Sequence, residues 1–195
     1  MAESPHRIVL ASRSPYRRKL LQKLVPAFDT VVPAVEEAPV DGETPAQMAL
    51  RLSQAKAKAV AAIHSHATVI GGDQVASLDS RVIGKPGDHA TAVQQLTDCS
   101  AQAVEFHTGV CVIAANGFTE SYVDKSIVFF RQLSGDLIER YLRKEQPYDC
   151  AGSFKAEQLG VILFERIETS DPAAIQGLPM IWLAACLGRA GIELL

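Results

Sequence analysis

With 195 residues, 48% of them hydrophobic and 21% charged, the chain has the composition of a water-soluble globular protein. It is long enough for one substantial core or for two lobes around a cleft. A formal net charge of -3 argues against general affinity for nucleic acid or an anionic membrane, so local basic clusters matter more than the total. No apolar run reaches the roughly 20 residues that span a bilayer, and "MAESPHRIVLAS" lacks the long apolar core of a signal peptide. Cys99, Cys111, Cys150 and Cys186 stand far apart without metal-ligand spacing and read as reduced, mostly buried thiols, so the expected location is the cytoplasm.

"HRIVLA" predicts a short buried strand. Ser14 then has the place of a helix N-cap and Pro15 that of the first helical residue, with Leu20, Leu21 and Leu24 on one face. Residues 26–43 read as loop with a short strand, and Thr44-Pro45 repeats the cap-and-proline start of a long helix to about His64. "TVIGGDQVASLD" predicts a strand, then a glycine pair, then Asp73 in a polar break. "IGKPGD" is a tight loop before a helix from about Asp88 to Asp98.

Two β-rich runs, 102–115 and 118–130, flank Asn116-Gly117, a hairpin signal because both residues tolerate positive φ. Ser134 starts a helix through Lys144, the glycine-punctuated loop "YDCAGSFKAEQLG" leads into the strand "VILFERI", and "GLPMIWLAACLGRAG" closes as an apolar helix with Pro179 near its start and Gly191 beyond its end. With no repeats and no linker, the chain reads as one α/β domain, 1–195. Its central hairpin excludes a purely parallel sheet, leaving a mixed, elongated one.

The chemistry-bearing residues begin at Ser12, Arg13, Ser14, Arg17 and Arg18. Any one arginine there is more often a solvated helix residue. The cluster at one strand-to-helix turn, where backbone N–H groups add to rigid guanidinium donors, points to an anion site. It is not a G-x-x-x-x-G-K-[ST] phosphate loop. Glu36, Glu37 and Asp73 are the acidic candidates to hold a divalent cation and orient water. Alone, Asp73 reads as a turn residue; beside glycines at the end of a buried strand it is well placed for function. Lys56, Lys85 and Lys155 are individually ordinary, His107 reads as a core residue, and His64, His66 and His89 read as surface or helix-end positions. The residues alone support an anion-binding α/β protein and leave a metal-dependent phosphohydrolase open.

In combination, "LASRSPYRRKLL", "GGDQV", "GKP", "FHTG", "YDCAGSFKAEQLG" and "GLPMIWL" occur in the order seen in the Maf family of nucleoside triphosphate pyrophosphatases. The resemblance runs from about Ile8 to about Gly191 and is nearest to the YceF-like branch, associated with 7-methyl-GTP. It implies helices forming two α/β lobes around a central cleft, often in a homodimer. It also implies cleavage between the α and β phosphates with a divalent cation, Mg²⁺ or Mn²⁺.

Carried over, Asp73 matches the family's proton acceptor; Ser12, Arg17, Arg18, Glu36, Lys56 and Lys85 match its cleft residues for phosphate and metal, with the metal held by Glu36 and Asp73. Tyr16, Gln74 and Glu157 carry the branch assignment, where the dTTP/UTP branch typically has Arg, Thr and Gln. One carboxylate such as Glu157 can accept both guanine donors, and Tyr16 offers a face to a base made cationic by methylation. The expected partner is thus a nucleoside triphosphate, with no nucleic acid or membrane. A dTTP/UTP pyrophosphatase and a nucleotide-sensing regulator of cell division are the alternatives the resemblance leaves.

Overall fold

The computed structural model describes residues 7–195, so His6 of the expected first strand lies outside the described residues. Helix starts follow local capping chemistry. Ser14 Oγ accepts the Arg17 N–H at 3.3 Å to open α1 (Pro15–Leu21), and Thr44 and Gln47 form a reciprocal capping box at the start of α2 (Pro45–Ala61). Asp88 caps α3 (His89–Cys99), Ser134 caps α4 (Gly135–Glu145), and α5 (Met180–Arg189) follows Pro179. Helix α2 stops at Ala61, short of His64, because Ile63 and His64 both donate to the Val60 carbonyl and close the last turn.

The strands are β1 (Arg7–Ala11), β2 (Asp29–Val31), β3 (Ala67–Leu78), β4 (Arg81–Ile83), β5 (Ala103–Ile113), β6 (Thr119–Phe130) and β7 (Phe164–Glu168). They form one mixed sheet in the order β2-β1-β3-β5-β6-β7, with β4 on β3. β1 pairs in parallel with β2 and β3; every other pairing is antiparallel.

Three local expectations change. Asp73 lies inside a continuous β3 and not in a break. In the β5–β6 hairpin only Gly117 takes positive φ, +88°, while Asn116 Oδ1 accepts the Phe118 N–H. Residues 159–163 form a 3₁₀ turn that leaves Val161 and Ile162 exposed, so the last strand begins at Phe164.

The two largest of the buried apolar clusters pack at opposite ends of β3 and β5. One joins α1 and α5 to β1, β3 and β5 through Leu10, Leu21, Ile70, Leu178, Leu183 and Leu187. The other joins α3 and α4 to a cluster in which Phe154 meets Phe106, Phe130 and Phe164 edge-on at 4.8–5.6 Å.

The break that sequence places in β3 lies instead in its neighbours. On one edge of β3, β1 pairs as far as Gly71 and β4 pairs only from Ala76 onward. Gly72 to Val75 therefore have no strand beside them on that edge, and a cleft opens there between the lobes. It lies beyond the carboxyl end of a parallel strand, the usual position for a ligand site in an α/β sheet.

Candidate active site

Alternation along β3 sends neighbouring residues to opposite faces of the sheet. Gly71 and Asp73 face α2, where a Cβ on Gly71 would stand 2.3 Å from the Ser53 carbonyl oxygen. The missing side chain lets α2 lie directly on the strand and brings Lys56 down to Asp73. Lys56 Nζ is 2.6 Å from Asp73 Oδ1 and 2.7 Å from Glu37 Oε1. Lys56 and Asp73 are 6% and 7% exposed, so they neutralise each other in a largely dry setting where neither would be stable unpaired. Burial pushes the Glu37 carboxyl up, but its bond to Lys56 and the charges of Arg13 and Lys85 prevail and hold it below its ordinary value.

Gly72 and Gln74 face the other way, towards α1 and the turn before α5. Arg17 crosses Gly72, where a Cβ would come within 3.2 Å of its side chain. Its Nε donates to the Gly177 carbonyl at 3.0 Å and its Nη1 to Ser12 Oγ at 3.3 Å. These contacts use two of the guanidinium's five N–H donors and leave the others for a ligand in the cleft that Arg17 lines. Burial lowers the Arg17 pKa against the opposing pull of Asp73 and Glu37. Gln74 Nε2 donates to the Ala174 and Ile175 carbonyls and to Thr108 Oγ1 at 3.0–3.1 Å, which ties the Ala174–Gln176 turn to the sheet.

The cleft has a volume of about 860 Å³, within the range of sites that enclose a small ligand. Ser12, Tyr16, Arg17, Glu36, Lys56, Asp73, Gln74, Lys85 and Glu157 all line it. Arg18 does not: one step along a helix turns a side chain by about 100°, and Arg18 is exposed while Arg17 enters the cleft. Glu36 lines the cleft, but its Oε1 accepts the Ala38 N–H, and it is Glu37 that reaches Lys56. Successive residues of an extended segment point in opposite directions, so sequence could not choose between two adjacent carboxylates.

Arg13 lines the cleft too, and neither Arg13 nor Lys85 forms an ion pair among the described residues, so both keep their donors for an incoming anion. The Gly177 carbonyl that holds Arg17 carried no signal beyond the glycine itself, which adopts φ +121°.

At the far end, Tyr16 reaches from α1 to the loop after α4. Its hydroxyl donates to Asp149 Oδ2 at 3.4 Å and accepts from Cys150 Sγ at 3.5 Å. Burial and these neighbours raise the Tyr16 pKa, so the phenol stays neutral. Burial also pushes the Cys150 thiol up to about 11, which makes it a poor nucleophile at neutral pH. Cations therefore crowd the end near Asp73, while Asp149 and Glu157 stand near Tyr16. Among the described residues no three His, Cys, Asp or Glu side chains gather as a ready-made metal cage. No helix among them is long and apolar enough to cross a membrane.

The chain is 49% identical over 181 residues to a 7-methyl-GTP pyrophosphatase of Ralstonia nicotianae, covering 92% of this chain and 93% of that one. A protein of the same name from Polaromonas is 50% identical over 96% of this chain and 86% of its own. Another, from Bordetella pertussis, is 48% identical over 99% and 96%. Among solved structures, the Staphylococcus aureus Ham1 protein superposes with a TM-score of 0.53 at 15% identity, covering 94% of this chain and 98% of that one. A HAM1 protein from Coxiella burnetii gives 0.52 at 16%, covering 94% and 99%; these two show a shared fold. The Maf-like protein family matches residues 7–190, nearly the whole chain and every element that lines the cleft, and the chain belongs to that family.

Proposed function

We propose that the protein hydrolyses 7-methyl-GTP to 7-methyl-GMP and pyrophosphate. The observation that carries this reading is the buried Asp73–Lys56 pair on the open edge of β3, facing a cation-lined cleft, in a chain whose relatives carry that name. Arg17, Arg13, Lys85 and Lys56 suit the phosphate chain, where fixed positive charge counters the negative charge that grows on the leaving pyrophosphate. Asp73 Oδ1 is engaged by Lys56. Oδ2 is then the atom that takes a proton from the attacking water as its oxygen bonds to the α-phosphorus and the α–β bridge breaks.

The donor set fits a divalent cation of the magnesium type, which needs only one or two carboxylates beside water and phosphate oxygens. Asp73 with Glu36 or its neighbour Glu37 would hold it. When bound it supplies charge neutralisation and a more acidic water. Tyr16, Gln74 and Glu157 form the base end, Glu157 accepting the two guanine donors. The four free cysteines are in keeping with action in the reducing cytoplasm.

The test is a panel of 7-methyl-GTP, GTP, dTTP and UTP scored for pyrophosphate, with and without chelator. Metal-dependent pyrophosphate release, fastest on 7-methyl-GTP, is expected. A preference for dTTP or UTP, orthophosphate as first product, or tight binding with negligible turnover would each overturn the reading.

A further inference from the structure

Helix α4 buries Ile138, Tyr141, Leu142 and Glu145, an i, i+3, i+4, i+7 stripe whose last member is a carboxylate. An apolar residue would fill that place without the cost of desolvating a charge. The Glu145 side chain is 5% exposed, and all its bonds go to one segment. Its Oε2 accepts the Leu159 N–H at 3.2 Å, and its Oε1 lies 3.4 Å from Lys155 Nζ, which also donates to the Glu145 carbonyl at 3.2 Å. One turn earlier, the Tyr141 hydroxyl accepts the Lys155 N–H at 3.2 Å. Helix α4 thus grips both ends of the segment from Lys155 to Leu159.

The segment is also closed on itself. Gln158 and Gly160 both donate to the Lys155 carbonyl, at 3.3 and 3.1 Å. A Cβ on Gly160 would stand 2.3 Å from that oxygen, so the turn admits glycine alone there. Within this fixed turn the exposed Glu157 lines the cleft.

We infer that Glu145 is a positioning residue for base selection: through Lys155 and Leu159 it fixes the turn that presents Glu157, without itself touching substrate. A carboxylate that accepts two adjacent donors works only at a set depth and angle. A turn ordered in advance spares the entropy of ordering it on binding. This rests on the proposed role of Glu157, and the experiment separates the two.

Glu145→Gln keeps the volume but turns one acceptor into a donor facing Lys155 Nζ or the Leu159 N–H. Tyr141→Phe is the milder second variant, losing only the acceptor at the Lys155 end. Hydrogen exchange is followed at 155–160 and in β5, and kcat/KM is measured on 7-methyl-GTP and dTTP for wild type, Glu145→Gln, Glu157→Gln and the double variant. Exchange in the turn should rise about tenfold or more with β5 unchanged. For 7-methyl-GTP, kcat/KM should fall about fivefold or more, mostly through KM, and less for dTTP. In the Glu157→Gln background the second substitution should cost almost nothing.

Unchanged exchange in either folded variant overturns the clamp, whatever the nucleotide preference. A loosened turn with unchanged kinetics, or losses that simply multiply in the double variant, overturns the positioning role. A wild type with no preference for 7-methyl-GTP sinks the substrate reading and the base-selection role with it, while the exchange result still decides the clamp.

Discussion

Asp73 and Lys56 are bonded at 2.6 Å with almost no solvent contact, and Glu37 supplies a second carboxylate from the cleft side. Removing one member of a buried pair usually leaves the other uncompensated and costs several kcal/mol. Here Glu37 would remain to balance Lys56 if Asp73 lost its charge. Asp73→Asn also keeps the shape and an oxygen for Lys56, so the fold should persist. The proton acceptor is lost, and kcat should fall by about 10²-fold or more, the usual scale for a missing general base. Circular dichroism establishes folding and pyrophosphate release gives the rate. Near-wild-type turnover in a folded Asp73→Asn protein would reduce Asp73 to a structural counter-charge for Lys56. Asp73 stood out in sequence because glycines precede it. Its partnership with Lys56 did not, because nothing local says which face of α2 meets β3.

Helix α2 and strands β3 and β5 approach so closely that side chains are excluded at the contact. A Cβ on Gly71 would stand 2.3 Å from Ser53 O and 2.6 Å from Ala57 N, and one on Gly109 2.2 Å from Ala49 O. These are backbone atoms of a helix and cannot turn aside. Gly71→Ala and Gly109→Ala should each destabilise by about 1–3 kcal/mol or more, the range for overpacking, and should lose activity by lifting Lys56 from Asp73. Gly188 is exposed inside α5 with open space around it. Gly188→Ala should therefore stabilise by about 0.4–1 kcal/mol. Urea midpoints at constant slope measure all three, and a Gly71→Ala protein as stable as wild type would refute the close-docking account. In sequence the glycine pair "GG" only marked the neighbouring Asp73 as well placed for function. Its two members instead admit different things: the α2 backbone at Gly71 and the Arg17 side chain at Gly72.

Across the whole molecule, what sequence disclosed were features with local causes: the Ser14, Thr44, Asp88 and Ser134 caps and the proline starts. Chain length merely allowed a cleft and resemblance supplied one, because the gap beside Gly72–Val75 arises where the pairing of β1 ends and that of β4 begins, a matter of pairing between distant segments. The long sheet also carries His107 into the interior at 8% exposure. Burial lowers its pKa below the ordinary 6.5, and the Lys125 charge adds to this, against the opposing effect of Glu105 at 3.2 Å. Between that lowered value and 6.5 the unfolded chain binds a proton that the native protein does not, so stability falls as pH drops through this window. Glu105, held below its ordinary 4.5 chiefly by the Lys125 hydrogen bond, and Glu37, held down by Lys56 against burial, contribute stability that is lost only at lower pH. The melting temperature should thus decline in two stages on acidification, beginning near pH 6.5 and steepening below about pH 4.5. His107→Gln should flatten the first stage and leave the second, as followed by thermal melts from pH 8 to about pH 4. A variant that keeps the wild-type slope near pH 6 would show that the first stage belongs to another group.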